Sequence, residues 1–442
     1  MRRGETRSPE EESMFPVLSR LFEEGRRRKL NPFWTKITGA LLFLFAAVEI
    51  YGAPFGFVDS FILRGVFVAF ALSLTFLCYT PFFSSAPRGA EEKVPLPDII
   101  LACASLLLGV WFALNGKDIV DRWTGVDPLL PMDRAVTAAL VLLVLEVTRR
   151  TVGPVLLGII LVFVAYSFAG PYLPGYFGHR GASLEVFLDR MAYTYDGILG
   201  TPVGVACTYV FMFVLFGQVF NAAGGGNFFF RLAASIAGRM RGGPAKISVI
   251  ASALYGTLSG SPVSDVVTTG SITIPLMKRL GYGADFSGAV SASACAGASL
   301  MPPIMGTAAF LMVDVAGIPY LEIALAAVIP SILFYFGIMV QVHDRSVITG
   351  MRPLSDDPRH RQEKARTVLR ENWLYLVPIA VLVWLITRRV NPTVVGLAAT
   401  AATVVVSWFI PGHRMGLREI CEALRRTGGG ILTVANASAA AG

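Results

Sequence analysis

Between Lys246 and Arg279 the chain runs apolar but is interrupted at its centre by Ser259-Gly260-Ser261-Pro262, with Asp265 just beyond. Basic residues close the stretch, Lys246 at one end and Lys278 with Arg279 at the other. One membrane crossing takes roughly 20 apolar residues, and two crossings with a turn take more than about 40. The stretch is too long for the first and too short for the second. The pattern predicts a helical hairpin over 246–279 that enters the bilayer, breaks at Ser-Gly-Ser-Pro and leaves by the face it entered. Lipid does not tolerate bare non-helical backbone, so the break must be buried in protein or line a watery cavity. Secondary transporters build ion and substrate sites in this way.

Composition sets the surroundings. Hydrophobic residues make up 54% of the 442 and charged residues only 15%, with a mean hydropathy of +0.61. A soluble chain of this size carries more charge. The chain therefore reads as an all-α polytopic membrane protein. Its net charge of +8 reads as topogenic, because the basic residues lie between apolar runs. No stretch interleaves basic and aromatic residues on a soluble domain, so nucleic acid is not an expected partner. The five cysteines are scattered through apolar segments without metal-ligand or disulfide spacing. The first apolar run begins only near Phe33, after Arg26-Arg27-Arg28-Lys29, too late for a cleavable signal.

Apolar runs predict about ten transmembrane helices, near 34–51, 60–79, 97–114, 134–148, 152–169, 201–221, 284–315, 320–342, 373–387 and 392–410. A shorter run, Phe228 to Met240, carries Arg231 and Arg239 and fits either an interfacial helix anchored by Phe228, Phe229 and Phe230 or a plain loop helix. With the amino terminus inside, the inner loops collect Arg26–Lys29, Arg88 and Lys93, Arg149 and Arg150, Lys278 and Arg279, and the basic stretch 345–370. Outer loops are poorer in Lys and Arg, and the bias holds along the chain. A single crossing at 247–277 would invert every later loop; a re-entrant hairpin keeps the parity. Domain expectations follow: a cytoplasmic segment 1–33, a four-helix block 34–150 and a main block 151–350 rich in Gly, Ser and Thr. A cytoplasmic linker at 351–371 and a final block 372–442 complete them. Thr427-Gly428-Gly429-Gly430 is expected to open a new apolar run, which stops at Gly442 short of a full span, so the chain reads as truncated.

Two constellations carry chemistry. In the first, Gly260 permits unusual backbone angles and Pro262 can start a second arm. Interrupted helices leave free carbonyls at one end and free amides at the other. With the hydroxyls of Ser259 and Ser261, this suits a hard cation. A carboxylate at membrane depth, Asp265, is a functional candidate for substrate or coupling, with Ser264 beside it. The second constellation is Ser299-Leu300-Met301-Pro302-Pro303-Ile304-Met305-Gly306-Thr307, midway along 284–315. Its prolines break the helical ladder. Paired discontinuities point to a transporter site. The cation candidates are thus Ser259, Gly260, Ser261, Pro302, Pro303 and Gly306; Asp265, Ser264, Ser299 and Thr307 are candidates for substrate or coupling. Packing alone is the competing reading for each. Glu49, Glu146, Asp314 and Glu322 read as lying near span ends, close to water. No catalytic motif, phosphate-cradling loop, metal cluster or cofactor site is present, so an enzyme is not expected.

In order along the chain, Phe216-Gly217-Gln218, Ala223-Gly224, Arg241-Gly242-Gly243-Pro244-Ala245-Lys246, Ser259-Gly260-Ser261, Gly281-Tyr282 and Pro302-Pro303 resemble the large membrane subunit of tripartite ATP-independent periplasmic (TRAP) transporters. The four extra amino-terminal spans, followed by Arg149-Arg150-Thr151-Val152-Gly153-Pro154, resemble fused small-plus-large permeases that work with a soluble periplasmic substrate-binding protein of the TAXI type. The resemblance implies an elevator with inverted repeats, the second incomplete here, in a bacterial or archaeal inner membrane. It implies import of a small organic anion of the carboxylate class, driven by sodium or protons. Ser259, Gly260 and Ser261 match the first hairpin tip, and Pro302 and Pro303 the break facing it. Ile304 stands where family members often carry Ser. A chain lacking the second hairpin is expected not to transport alone. The alternatives are a single-component sodium–dicarboxylate symporter and a non-transporting membrane scaffold.

Overall fold

The computed structural model describes residues 27–80, 93–123, 127–351 and 363–442. The expectations at Arg26, Arg88 and most of the 351–371 linker fall outside them. The described chain is almost entirely helical; an isolated β-bridge pairs Arg27 with Tyr79. Seven of the described helices are long and apolar enough to cross a membrane: Pro32–Phe55 (α1), Ser60–Cys78 (α2), Leu96–Val120 (α3), Pro154–Tyr172, Thr201–Ala222, Tyr320–Ile348 and Ala365–Thr387. With the shorter apolar helix Pro392–Ser407, they make the chain a multi-pass membrane protein. The expected span at 134–148 is the continuous helix Pro131–Thr151 (α4). Asp133 and Arg134 at one end and Glu146, Arg149 and Arg150 at the other shorten its apolar middle.

The chain forms two compact units: Met1–Phe45 with Val58–Gly204 and Leu432–Gly442, and Ala46–Phe57 with Val205–Ile431. In the first, local chemistry sets the helix starts. Asp59 caps α2 by accepting the Phe61 N–H at 2.8 Å. Gly153, at φ +106°, turns the chain between α4 and the helix that opens with Pro154. Charge then ties α3 to α4. Asp98 accepts a hydrogen bond from Arg28 and stands 2.9 Å from Arg150, all three side chains almost fully buried. Arg28 also donates to the carbonyl of Phe76 at 2.9 Å, satisfying an orphan at the end of α2.

The second unit has an aromatic core that includes Phe211, Phe213, Phe216, Phe220, Phe228, Tyr255 and Phe310. The helix Gly225–Ala237 belongs to it. Phe228 and Phe229 are buried, and Phe228 stacks on Tyr375 at 5.4 Å. They act as core residues rather than as a lipid anchor. On the other face Arg231 pairs with Glu363 and Glu371, and the hydrogen bond to Glu363 pushes the guanidinium pKa above its ordinary value.

Thr427-Gly428-Gly429-Gly430 does not open a new element. It lies inside one helix, Leu417–Ala441. The Thr427 hydroxyl bonds back to the Ala423 carbonyl at 2.9 Å, and Gly430 faces Val214. Tertiary packing overrides the poor helix propensity of glycine here.

Candidate functional site

The hairpin expected at 246–279 is present as two helical arms. The first is Gly243–Ser259. The second runs over 262–279 as Pro262–Asp265, a wide turn at Val266–Gly270 and Ser271–Arg279. Hydroxyl pairs lace the arms antiparallel: Ser248 donates to Thr273 at 3.0 Å, and Ser252 lies 3.1 Å from Thr269. Gly260 makes the reversal at φ +57°, the left-handed geometry glycine adopts without penalty. Ser261 caps the second arm, its hydroxyl accepting the Ser264 N–H at 3.4 Å, and Pro262 follows at the first helical position. At the foot, Lys246 is buried, with Nζ 2.9 Å from Nδ1 of His343. It is held inside the fold rather than free in a loop.

The second break lies against this tip. The expected span 284–315 divides into Ala284–Ala296 and Thr307–Ala316, with Pro302-Pro303 between them. Ile304 donates its N–H to the Thr257 carbonyl at 3.3 Å. A Cβ on Gly260 would stand 2.0 Å from the Met305 carbonyl oxygen, so only glycine admits the approach. Gly306 donates to the Ser299 carbonyl at 2.8 Å, closing the loop between the half-helices. Thr307 opens the second half-helix.

The structure brings Ser259 and Asp265 together and sets Gly260 against Ile304 and Met305; Asp265 itself lies near Gly256 and Ala298. It also accounts for several groups. The Ser299 hydroxyl donates to the Ala296 carbonyl at 3.0 Å. Ser331 donates to the Leu300 carbonyl at 2.7 Å. The Tyr320 hydroxyl donates to the carbonyls of Pro303, at 2.7 Å, and Ile304. Helix Tyr320–Ile348 therefore takes up carbonyls that the break leaves without a helical partner. The group left open is Asp265. It is fully buried, one carboxylate oxygen accepts the Ser259 hydroxyl, and the other has no hydrogen-bond partner among the described residues. A buried oxygen without a partner is costly; a small cation or a proton would satisfy it.

Sequence reasoning missed two further features. Glu49 is completely buried, and neither carboxylate oxygen has a partner among the described residues, so it does not sit beside water. Its one signal was a carboxylate within an otherwise apolar run. The clamp from Tyr320 had no local signal, because its targets lie on another segment. Among the described residues no group of three or more His, Cys, Asp or Glu gathers to hold a metal.

Comparison with known proteins gives a consistent result. The profile described as "Tripartite ATP-independent periplasmic transporter, DctM component" matches residues 139–442. A sialic acid TRAP transporter permease protein, SiaT, of Haemophilus influenzae is 24% identical over 225 residues, covering 50% of this chain and 34% of the relative. The sialic acid TRAP transporter large permease protein SiaM of Vibrio cholerae is 29% identical over 182 residues, 41% of this chain and 42% of its own length. The C4-dicarboxylate TRAP transporter large permease protein DctM of Pseudomonas aeruginosa is 26% identical over 250 residues, 56% and 54%. The chain thus spans between about a third and about half of the length of these curated relatives.

Proposed function

The chain belongs to the tripartite ATP-independent periplasmic transporter family, DctM component, and from that premise we propose that it forms the membrane permease of a binding-protein-dependent secondary transporter. In this reading it imports a small organic anion of the carboxylate class, taken from a soluble periplasmic protein of the TAXI type. The coupling ion is sodium, with the proton as alternative. The amino-terminal helices α1 to α4 act as a fused small-subunit scaffold in the inner membrane, with the amino terminus inside. The hairpin re-enters the membrane from the same side and moves with the broken helix as an elevator.

The observation that carries the ion site is the Asp265 oxygen left unpartnered where the two interrupted helices meet. Ser259 orients the carboxylate, and Gly260 lets the Met305 backbone close against the hairpin tip. Cation entry at Asp265 would offset the unpaired charge and hold the tips together; release would loosen them. The relatives named for sialic acid and C4-dicarboxylate both concern carboxylates, which supports the anion class.

Uptake into proteoliposomes tests this. The full-length transporter, carrying both hairpins that the family pattern implies, is reconstituted with its candidate soluble binding protein loaded with a labelled carboxylate. Uptake is expected only with both the binding protein and an inward sodium gradient. Uptake driven by a proton gradient alone assigns the proton instead. Uptake without the binding protein returns the reading to a single-component symporter.

A further inference from the structure

Away from the hairpin tip, a cavity of about 210 Å³ opens where the loops after Thr307–Ala316 and Ala365–Thr387 meet. Its walls are aromatic and aliphatic. Phe310 and Tyr320 stack parallel, 4.7 Å apart with 2° between the planes, and Tyr209 leans on Phe310 at 5.8 Å. Val313, Leu321 and Ile386 add to the apolar lining, and Arg389 is its one cationic side chain.

Arg389 is unusual in two ways. It sits at φ +55°, one of two non-glycine residues with positive φ among the described residues. Its N–H bonds to the Ile386 carbonyl at 2.9 Å and that of Val390 to the Leu385 carbonyl at 3.2 Å. This is the helix-ending turn that glycine usually fills. A long cationic side chain held in a glycine conformation indicates that the side chain, not the turn, is what the position retains. The guanidinium is also not spent on the fold. It is 66% exposed, its one ion pair is with Glu322 at 3.7 Å, beyond hydrogen-bonding distance, and no hydrogen bond from it occurs among the described residues.

We propose that this cavity is a second ligand site, one that takes a compact organic carboxylate with a flat apolar body. The body lies in the Tyr209–Phe310–Tyr320 pocket, and the carboxylate is gripped at the mouth by the planar Arg389 fork, which matches carboxylate geometry. An apolar pocket with one placed charge is the ordinary form of a small-molecule site. The site is one side chain from the ion tip. Tyr320 forms its wall with the ring and holds the Pro303 and Ile304 carbonyls with the hydroxyl. An occupant pressing on that ring acts on the loop that packs against the hairpin tip at Thr257 and Gly260. The inference concerns binding, and it stands or falls independently of transport.

Benzoate is the probe, titrated by calorimetry into the purified full chain in phosphatidylcholine nanodiscs, with benzyl alcohol as its neutral isostere. Saturable benzoate binding is expected, with benzyl alcohol weaker by about tenfold or more, the scale of one charge-assisted pair. Arg389→Gly is expected to weaken benzoate by a similar factor while melting no earlier than the parent, because glycine relieves the left-handed turn. Val313→Trp, which fills the cavity, is expected to abolish binding. Equal benzoate affinity in the parent and Arg389→Gly overturns the proposal, as does equal binding of benzyl alcohol. So does an absence of saturable benzoate binding, whether or not phosphatidylglycerol shifts the melting temperature in its place.

Discussion

Asp98 and Asp265 are both buried carboxylates in an apolar chain, and they are treated in opposite ways. Asp98 is answered on both oxygens, by Arg28 and Arg150, and Arg150 is further held by Glu146 at 2.7 Å. Asp265 has one serine hydroxyl and an open oxygen. A carboxylate paired with two buried guanidiniums has no capacity left for a ligand; its work is to fix helices. One left half-paired in a helix break has capacity to spare. A buried charge in an apolar chain is therefore not one signal, and the partners decide whether it marks architecture or a site.

Substitution separates the two most sharply at Asp98. Asp98→Asn leaves two buried guanidiniums short of their anion and is expected to destabilise the protein by about 3–5 kcal/mol, read as a large fall in melting temperature in detergent. Gly260→Ala comes next. It places a Cβ against the Met305 carbonyl in a left-handed turn, and is expected to cost about 3 kcal/mol and to part the two tips. A cysteine cross-link between the tips, formed in the parent and lost in the variant, checks this. Tyr320→Phe removes the donor to two carbonyls and is expected to cost about 1–3 kcal/mol in thermal denaturation. Asp265→Asn is the smallest in stability, within about 1 kcal/mol without added cation, because the open oxygen contributes no bond that is lost. A collapse of Asp265→Asn like that of Asp98→Asn would erase the contrast.

The sequence made these two regions unequally legible. The breaks at Ser259-Gly260-Ser261-Pro262 and Pro302-Pro303 could be read because Gly and Pro act on their own backbone, and the spans because apolar run length is local. The Arg28–Asp98 bond joins residues 70 positions apart, and no periodicity announces it. Tyr320 looked like the start of an ordinary span for the same reason. Phe228 and Phe229 illustrate another limit: an aromatic run fits a membrane belt or a core equally well, and only the presence of Tyr375 across from it decides. Thr427-Gly428-Gly429-Gly430 is expected to open a new apolar run, whereas it lies inside one continuous helix, Leu417–Ala441, whose start at Leu417 no apolar run announces.

The account rests on Asp265 being open for a cation, and sodium titration of thermal stability tests that most directly. The full chain in detergent is melted across a sodium series, with potassium or choline holding ionic strength constant, alongside Asp265→Asn and Ser259→Ala. A saturable, sodium-specific rise in melting temperature is expected for the parent, corresponding to a stabilisation of about 2.7 kcal/mol at a hundredfold excess over Kd. It should be weaker in Ser259→Ala and absent in Asp265→Asn. The same saturable sodium response in Asp265→Asn would contradict the account.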